Sequence, residues 1–225
     1  MLARYPHHMT SNVNGGLRLM RSGTGRRRLW EGMRVRLYWR SEAIGLCRDV
    51  SVPFAAPPAK VPVTVRPVRP DDDLSFIADV PELPAQAAEE RAYQRSMLNA
   101  DIPTCWIAVD SDGTACYMQW LISARDNPRI QEWWRGLMPE LRPDEALLEG
   151  AYTADSHRGK GIMAHAMALI AEQARDIGAQ KVITFVSKDN IASLKGCERA
   201  GFAPHLDRRE SWTLFRRRVR FQPLT

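Results

Sequence analysis

His157-Arg158-Gly159-Lys160-Gly161-Ile162-Met163-Ala164-His165-Ala166-Met167-Ala168 joins a basic, glycine-rich turn to an amphipathic helix. Just upstream, Leu147-Leu148-Glu149-Gly150-Ala151-Tyr152-Thr153 reads as a strand. Strand, glycine turn and helix in that order make a place to hold phosphate. Backbone N–H groups of the turn and the positive end of the helix dipole can both face an anion. Gly159 and Gly161 let the main chain approach closely, while Arg158 and Lys160 add charge. Met163, Met167, Ile170, Ala174 and Ile177 recur at helical spacing, a stripe that reads as core.

Working outward, the helix stops at Gly178, a strand follows from Lys181 to Ser187, and a short helix runs from Asn190 to Ala200 before Gly201. Upstream, Thr104 to Val109 and Thr114 to Ile122 flank Asp110-Ser111-Asp112-Gly113, a strong hairpin signal. Residues 84 to 99 read as a helix that begins at a proline. Val63 to Val68 alternates like a strand, and Pro70-Asp71-Asp72-Asp73 reads as a helix opening. Residues 123 to 145 form an irregular insertion that carries Trp133, Trp134 and Arg135. The C-terminal stretch reads as a last strand whose apolar phase switches near Leu214, which predicts a bulge or break there.

The remainder bounds the organisation. Residues 1 to 60 are expected to be an N-terminal extension, partly disordered, in which Arg34 to Trp39 and Ala43 to Leu46 can pair as a small hairpin. Pro53, Pro57 and Pro58 then make a stiff linker, and one compact domain spans 61 to 225. Hydrophobic and charged fractions of 44% and 26% suit a globular protein of this size. Without a membrane-length apolar run or a signal-peptide core, the expected location is the cytoplasm. Four cysteines without CxxC spacing argue against zinc, and no metal site is expected. The net charge of +6 suits an anionic ligand or a solvated surface. Arg26-Arg27-Arg28 and Arg216-Arg217-Arg218 are not interleaved with aromatics, so nucleic acid is not the expected partner.

With this order of elements, the chain resembles the Gcn5-related N-acetyltransferase (GNAT) superfamily. Its pyrophosphate signature is Arg/Gln-x-x-Gly-x-Gly/Ala, and Arg158, Gly161 and Met163 occupy those places. Met163 departs from the small residue, so its side chain must turn away from the phosphates. A second signature corresponds to Asn190, Ser193, Cys197 and Gly201-Phe202, with Cys197 where many members carry tyrosine. The resemblance covers about Val61 to Phe221. It implies an α/β fold with a mixed central sheet of about six to seven strands, flanked by helices and splayed between strands four and five.

The resemblance further implies acetyl-CoA as cosubstrate and an amine acceptor, with direct transfer in a ternary complex. Pantetheine would lie along Ala151, Tyr152 and Thr153, with Asn190 and Ser193 on the neighbouring edge. The pyrophosphate would meet Arg158 and the backbone of Gly159, Lys160, Gly161, Ile162 and Met163. Such a reaction needs a base for the amine, a donor for the developing oxyanion and a proton for the leaving thiolate. Glu149 is the candidate base or an ion-paired strand-end carboxylate; backbone N–H near Tyr152 or Thr153 is the oxyanion donor. Cys197 or Tyr152 is the candidate acid, and each also reads as packing. The tryptophan pair either shapes the acceptor site or anchors its loop. Two alternatives stand beside this reading: a CoA-binding domain without catalysis, and a nucleic-acid- or ribosome-associated acetyltransferase. A homodimer is allowed, and the acceptor is not identified.

Overall fold

A computed structural model describes residues 37–224. The Arg26–Arg28 triplet and the disorder expected near the N-terminus fall outside the described residues. Eight strands form one sheet: β1 (Tyr38–Asp49), β2 (Val63–Pro67), β3 (Cys105–Asp110), β4 (Ala115–Ser123), β5 (Glu145–Thr153), β6 (Lys181–Ser187), β7 (Ala203–Thr213) and β8 (Arg216–Pro223). Their order across the sheet is β2-β3-β4-β5-β6-β1-β7-β8. Every neighbouring pair is antiparallel except β5 with β6, which is parallel. The helices are α1 (Ala85–Asn99), α2 (Asn127–Trp134), α3 (Ile162–Glu172) and α4 (Ile191–Arg199).

The sheet is buried on both faces. On one, Leu121, Leu148 and Val182 pack against Met167 and Ile170 of α3. On the other, Trp120, Leu147 and Ile183 meet Met97 of α1 and Ile130 and Trp134 of α2. Local chemistry shapes the connections. The β3–β4 turn is held by Asp110 Oδ1, which accepts from the N–H of Asp112 at 3.0 Å and of Thr114 at 2.9 Å. Helix α1 starts at Pro84, whose missing N–H costs nothing in a first turn.

Several expectations are corrected. The stretch from Tyr38 to Asp49 is one long strand rather than half of a hairpin plus a tail. It lies inside the sheet between β6 and β7, so a boundary at residue 61 cuts a strand from its own sheet. The physical reason is non-local: its partners are 132 to 175 residues away in sequence, beyond the reach of a local pattern. Arg48 fixes the strand from its far end. Its buried guanidinium donates to Ala168 O at 3.0 Å and to Ala200 O at 3.4 Å, and it pairs with Glu172. The strand total is therefore eight rather than six or seven.

Pro70–Asp73 opens no α-helix. Asp72 is bound by Arg66 instead, Asp73 accepts from Ser75 N–H, and only a 3₁₀ turn at Ser75–Ile77 forms. The insertion contains α2, with Pro in its first turn, so it is not irregular throughout. The break near Leu214 is a hairpin: Leu214 and Phe215 both adopt positive φ, at 48° and 63°, and β8 folds back on β7. No helix of the described residues is long and apolar enough to cross a membrane.

Because β1 pairs on both edges, its removal would split the sheet and leave the facing edges of β6 and β7 unpaired. A chain that starts at Val61 is expected to be insoluble or to lack a cooperative melt by circular dichroism. A native-like melt and a monodisperse gel-filtration peak would contradict this account of β1.

Candidate functional site

Strands β5 and β6 pair only from Glu145 to Leu147 against Lys181 to Ile183. Beyond that point they part, and a cleft opens between Glu149–Tyr152 on one wall and Thr184–Ser187 on the other. A β-bulge lies on the β5 wall. Met118 opposes Tyr152 and Trp120 opposes Glu149, so Gly150 and Ala151 together face Gln119. Gly150 has φ +73°, and a Cβ there would stand 2.8 Å from the Trp120 ring. Only glycine allows this bend, which presents the Ala151 and Tyr152 backbone to the cleft.

The glycine turn stands at the mouth. Gly161 is the left-handed N-cap of α3, at φ 77°, and no side chain caps the helix, so its first N–H groups have no such partner. A Cβ at Gly159 would meet nothing within 4 Å, so one side of the turn is open. The segment before β2 straps the helix from elsewhere: Lys60 N–H donates to Lys160 O at 2.8 Å, and His165 Nδ1 lies 2.9 Å from Pro57 O. Met163 turns toward α4, where its Sδ would stand 3.0 Å from a Cβ on Gly196. Asn190 caps α4 by accepting from Ser193 N–H at 3.1 Å. An open glycine turn at an uncapped helix end, continuous with a split sheet, fits a long arm ending in phosphates.

The structure gathers Glu149, Ala151, Tyr152, Met163, Asn190, Ser193 and Cys197 around the cleft. Thr153, Arg158, Gly159, Lys160, Gly161 and Ile162 do not line it; they follow it along the turn. The Ile162 side chain is buried in the core, which leaves only its backbone for a ligand. Arg158 donates to Thr153 O at 3.4 Å and pairs with Glu90 at 3.2 Å and Asp155 at 3.1 Å. His157 Nε2 is 3.3 Å from Asp110 Oδ2, an ion-pair partner on β3. Neither tryptophan lines the cleft. Trp134 is buried, and its Nε1–H donates to the Tyr93 hydroxyl at 3.1 Å, with Trp133 edge-on at 6.5 Å. They anchor the insertion and support Tyr93, which does line it.

Electrostatics single out Glu149. It is 7% exposed, and burial pushes its carboxyl up to about 7, against the opposing pull of Arg208 and of the Gly150 N–H. Its Oε2 is buried without a hydrogen-bond partner. Burial, helped by Glu149, pushes the Cys197 thiol up to about 12, so it stays protonated near neutral pH. The Tyr152 hydroxyl accepts from Arg91 Nε at 3.1 Å, and its ring stacks on Phe76 at 6.0 Å. Sequence reasoning passed over Arg208, Gln94, Glu89 and Glu90, which also line the cleft. The available signal for Arg208 was its phase, since it alternates with Leu206 and Trp212 on the inward side of β7.

The sequence matches the Acetyltransferase (GNAT) family over residues 78–202. The chain belongs to this acetyltransferase family, and its eight-stranded mixed sheet is the family's fold. Among solved structures, it is similar to a GNAT-family acetyltransferase from Colwellia psychrerythraea: 14% identity, TM-score 0.48, covering 84% of this chain and 57% of that one. A GCN5-related N-acetyltransferase from Sphaerobacter thermophilus is similar at 14% identity and TM-score 0.48, with 90% and 57% covered. The chain thus spans under two thirds of these relatives' length. No curated protein matches the sequence.

The raised Glu149 pKa carries a stability consequence. Between its ordinary value of 4.5 and about 7, the folded chain keeps a proton that the unfolded chain has lost. Stability therefore falls as pH rises through that window, by about 3 kcal/mol in total. Glu149→Gln removes the titration. Denaturant melts from pH 5 to 8 should show the variant gaining on the parent as pH rises, and parallel curves would contradict the burial argument.

Proposed function

We propose that the chain transfers an acetyl group from acetyl-CoA to a primary amine by direct attack within the cleft. The observation that carries this reading is the buried Glu149 carboxyl, its Oε2 without a hydrogen-bond partner, in the gap where β5 and β6 part. Acetyl-CoA supplies the activated acyl group; the rest of the task falls to the chain. The turn from Arg158 to Met163 would hold the phosphates through backbone N–H groups and the Arg158 guanidinium, once that side chain leaves Glu90. The bulged backbone at Ala151 and Tyr152 would orient the amide-bearing arm and present N–H to the thioester carbonyl. Asn190 and Ser193 flank the arm from the other wall.

Glu149 takes the proton from the attacking amine. A base that titrates near 7 is half-ionised at neutral pH, strong enough to accept and able to release. One bond forms, from nitrogen to acyl carbon, and one breaks, from acyl carbon to sulfur. The departing thiolate takes a proton and leaves as free thiol. Tyr152 is the donor we favour. Arg91 occupies an acceptor position on its oxygen, so the hydroxyl hydrogen is free to point elsewhere. Cys197, held near 12, is too weak an acid to protonate a thiolate well and acts in packing.

Release of free thiol from acetyl-CoA across an amine panel tests the activity. Glu149→Gln should lower kcat about 100- to 10,000-fold and abolish a rise in rate with pH centred near 7. Tyr152→Phe should cost about tenfold or more, and Cys197→Ala less than about threefold. Tight coenzyme A binding with no turnover of any amine would instead favour a binding domain without catalysis.

A further inference from the structure

Six charged side chains of the described residues are buried: Arg48, Glu145, Glu149, Asp207, Arg208 and Glu210. Four have an ion-pair partner. Arg48 is held by Glu172, Glu145 by Arg142, Asp207 by Lys188 and Arg209, and Glu210 by Arg217. Glu149 and Arg208 form no ion pair among the described residues, and both line the same cleft. A buried charge left without a partner is costly, so such a pair of exceptions in one cavity calls for an account.

Arg208 is only 3% exposed. It projects from the inward face of β7, level with Ala43 of β1 and Phe221 of β8. Its guanidinium lies over the Phe185 ring at 4.8 Å, which fixes its plane. Nη1 makes long contacts, 3.3 Å to Leu137 O and 3.6 Å to Met138 Sδ. The cleft also holds two acceptors without partners, Glu149 Oε2 and Gln94 Oε1, both buried. One cavity therefore holds a planar guanidinium that forms no ion pair and two buried oxygen acceptors without hydrogen-bond partners.

We infer that this cleft takes as acceptor a small zwitterion, an α-amino acid, with its carboxylate on Arg208 and its amine against Glu149 and Gln94. A carboxylate matches the guanidinium fork and supplies the direct ion-pair partner that Arg208 lacks. The amine presents N–H donors to the two orphaned oxygens and reaches the group that would deprotonate it. A simple amine would leave Arg208 desolvated and unpaired, and a site built to bond a group rejects the analogue that lacks it. The assignment rests on the acetyl-transfer reading for the fate of the amine, but the binding claim stands apart from it.

The test is equilibrium binding, so turnover is not required. The full chain, saturated with coenzyme A, is titrated by calorimetry with the protein α-amino acids and with each one's decarboxylated amine and C-terminal amide. If coenzyme A does not bind, the acetyl-transfer reading fails, and the same titrations are run on the free chain. At least one amino acid should bind about 10- to 100-fold more tightly than its two carboxylate-free counterparts. Arg208→Gln should erase that preference while leaving coenzyme A affinity and the affinity for the simple amine within about threefold. The inference is overturned if no amino acid binds, if amine and amide bind as well as the acid, or if the preference survives in Arg208→Gln. Should that variant fail to fold by thermal melt, the comparison of ligands on the unmodified chain decides alone.

Discussion

The parting of β5 from β6 is the constraint on which the rest of the architecture depends. Three residue pairs join these strands before the ladder ends, and their backbone groups then face a gap. A sheet that opens in its middle would ordinarily close by slipping or re-pairing, since unpaired strand edges seek partners. Here each half is held from outside. β6 pairs along its full length with β1, from Ala43–Ser187 to Asp49–Lys181, and β5 pairs with β4 around the bulge. An N-terminal strand, clamped by Arg48 onto the ends of α3 and α4, thus keeps the gap open more than 100 residues away in sequence. The cleft exists because β6 has somewhere else to spend its hydrogen bonds.

Chemistry follows from this gap. Glu149 sits just past the last pair, so its carboxyl is carried into the gap but remains buried there, and the raised pKa follows from that burial. Gly150 lets the strand bend immediately afterwards, with Trp120 filling the space that a side chain would need. The same bend that leaves Gly150 and Ala151 without ladder partners turns backbone toward the cleft. Buried carboxyl, bulge and aromatic buttress are consecutive consequences of one local sequence, Leu148-Glu149-Gly150-Ala151, against one tryptophan.

What the sequence made legible was local. The glycine turn, the Asp110–Gly113 hairpin, the short helix after Asn190 and the helix stop at Gly178 each depend on residues within a few positions of one another, and each is present. Glu149 was also within reach, because its distance from the turn fixes it on β5. Illegible features depend on distant partners. Tyr38 to Asp49 alternates between exposed and more buried positions at its start, as an edge hairpin also would; only its two far neighbours make it a central strand. Arg208 looked like one of many arginines in a basic chain until the fold placed it behind Leu137 and over Phe185. Asp72 signalled a helix start, yet Arg66, six residues earlier, competed for the same carboxylate and won. Burial, rather than residue type, separates Glu149 and Arg208 from the solvated charges here.

The costs of the site are concentrated in one place. A left-handed glycine in mid-strand, a ladder of three pairs, an unpaired buried carboxylate and an unpaired buried guanidinium all lie around the cleft. Buried charges of this kind lower stability compared with apolar residues of similar volume. Elsewhere the same chain satisfies its buried charges with close ion pairs, as at Glu210 with Arg217 at 2.6 Å and Glu145 with Arg142 at 2.5 Å. Among the described residues, the two buried charges that form no ion pair share one cavity. Two dense core layers, one under α3 and one under α1 and α2, offset the local loss. Glu149 and Arg208 line this one cleft without forming an ion pair with each other, and the divergence of β5 and β6 leaves the space in which both are held.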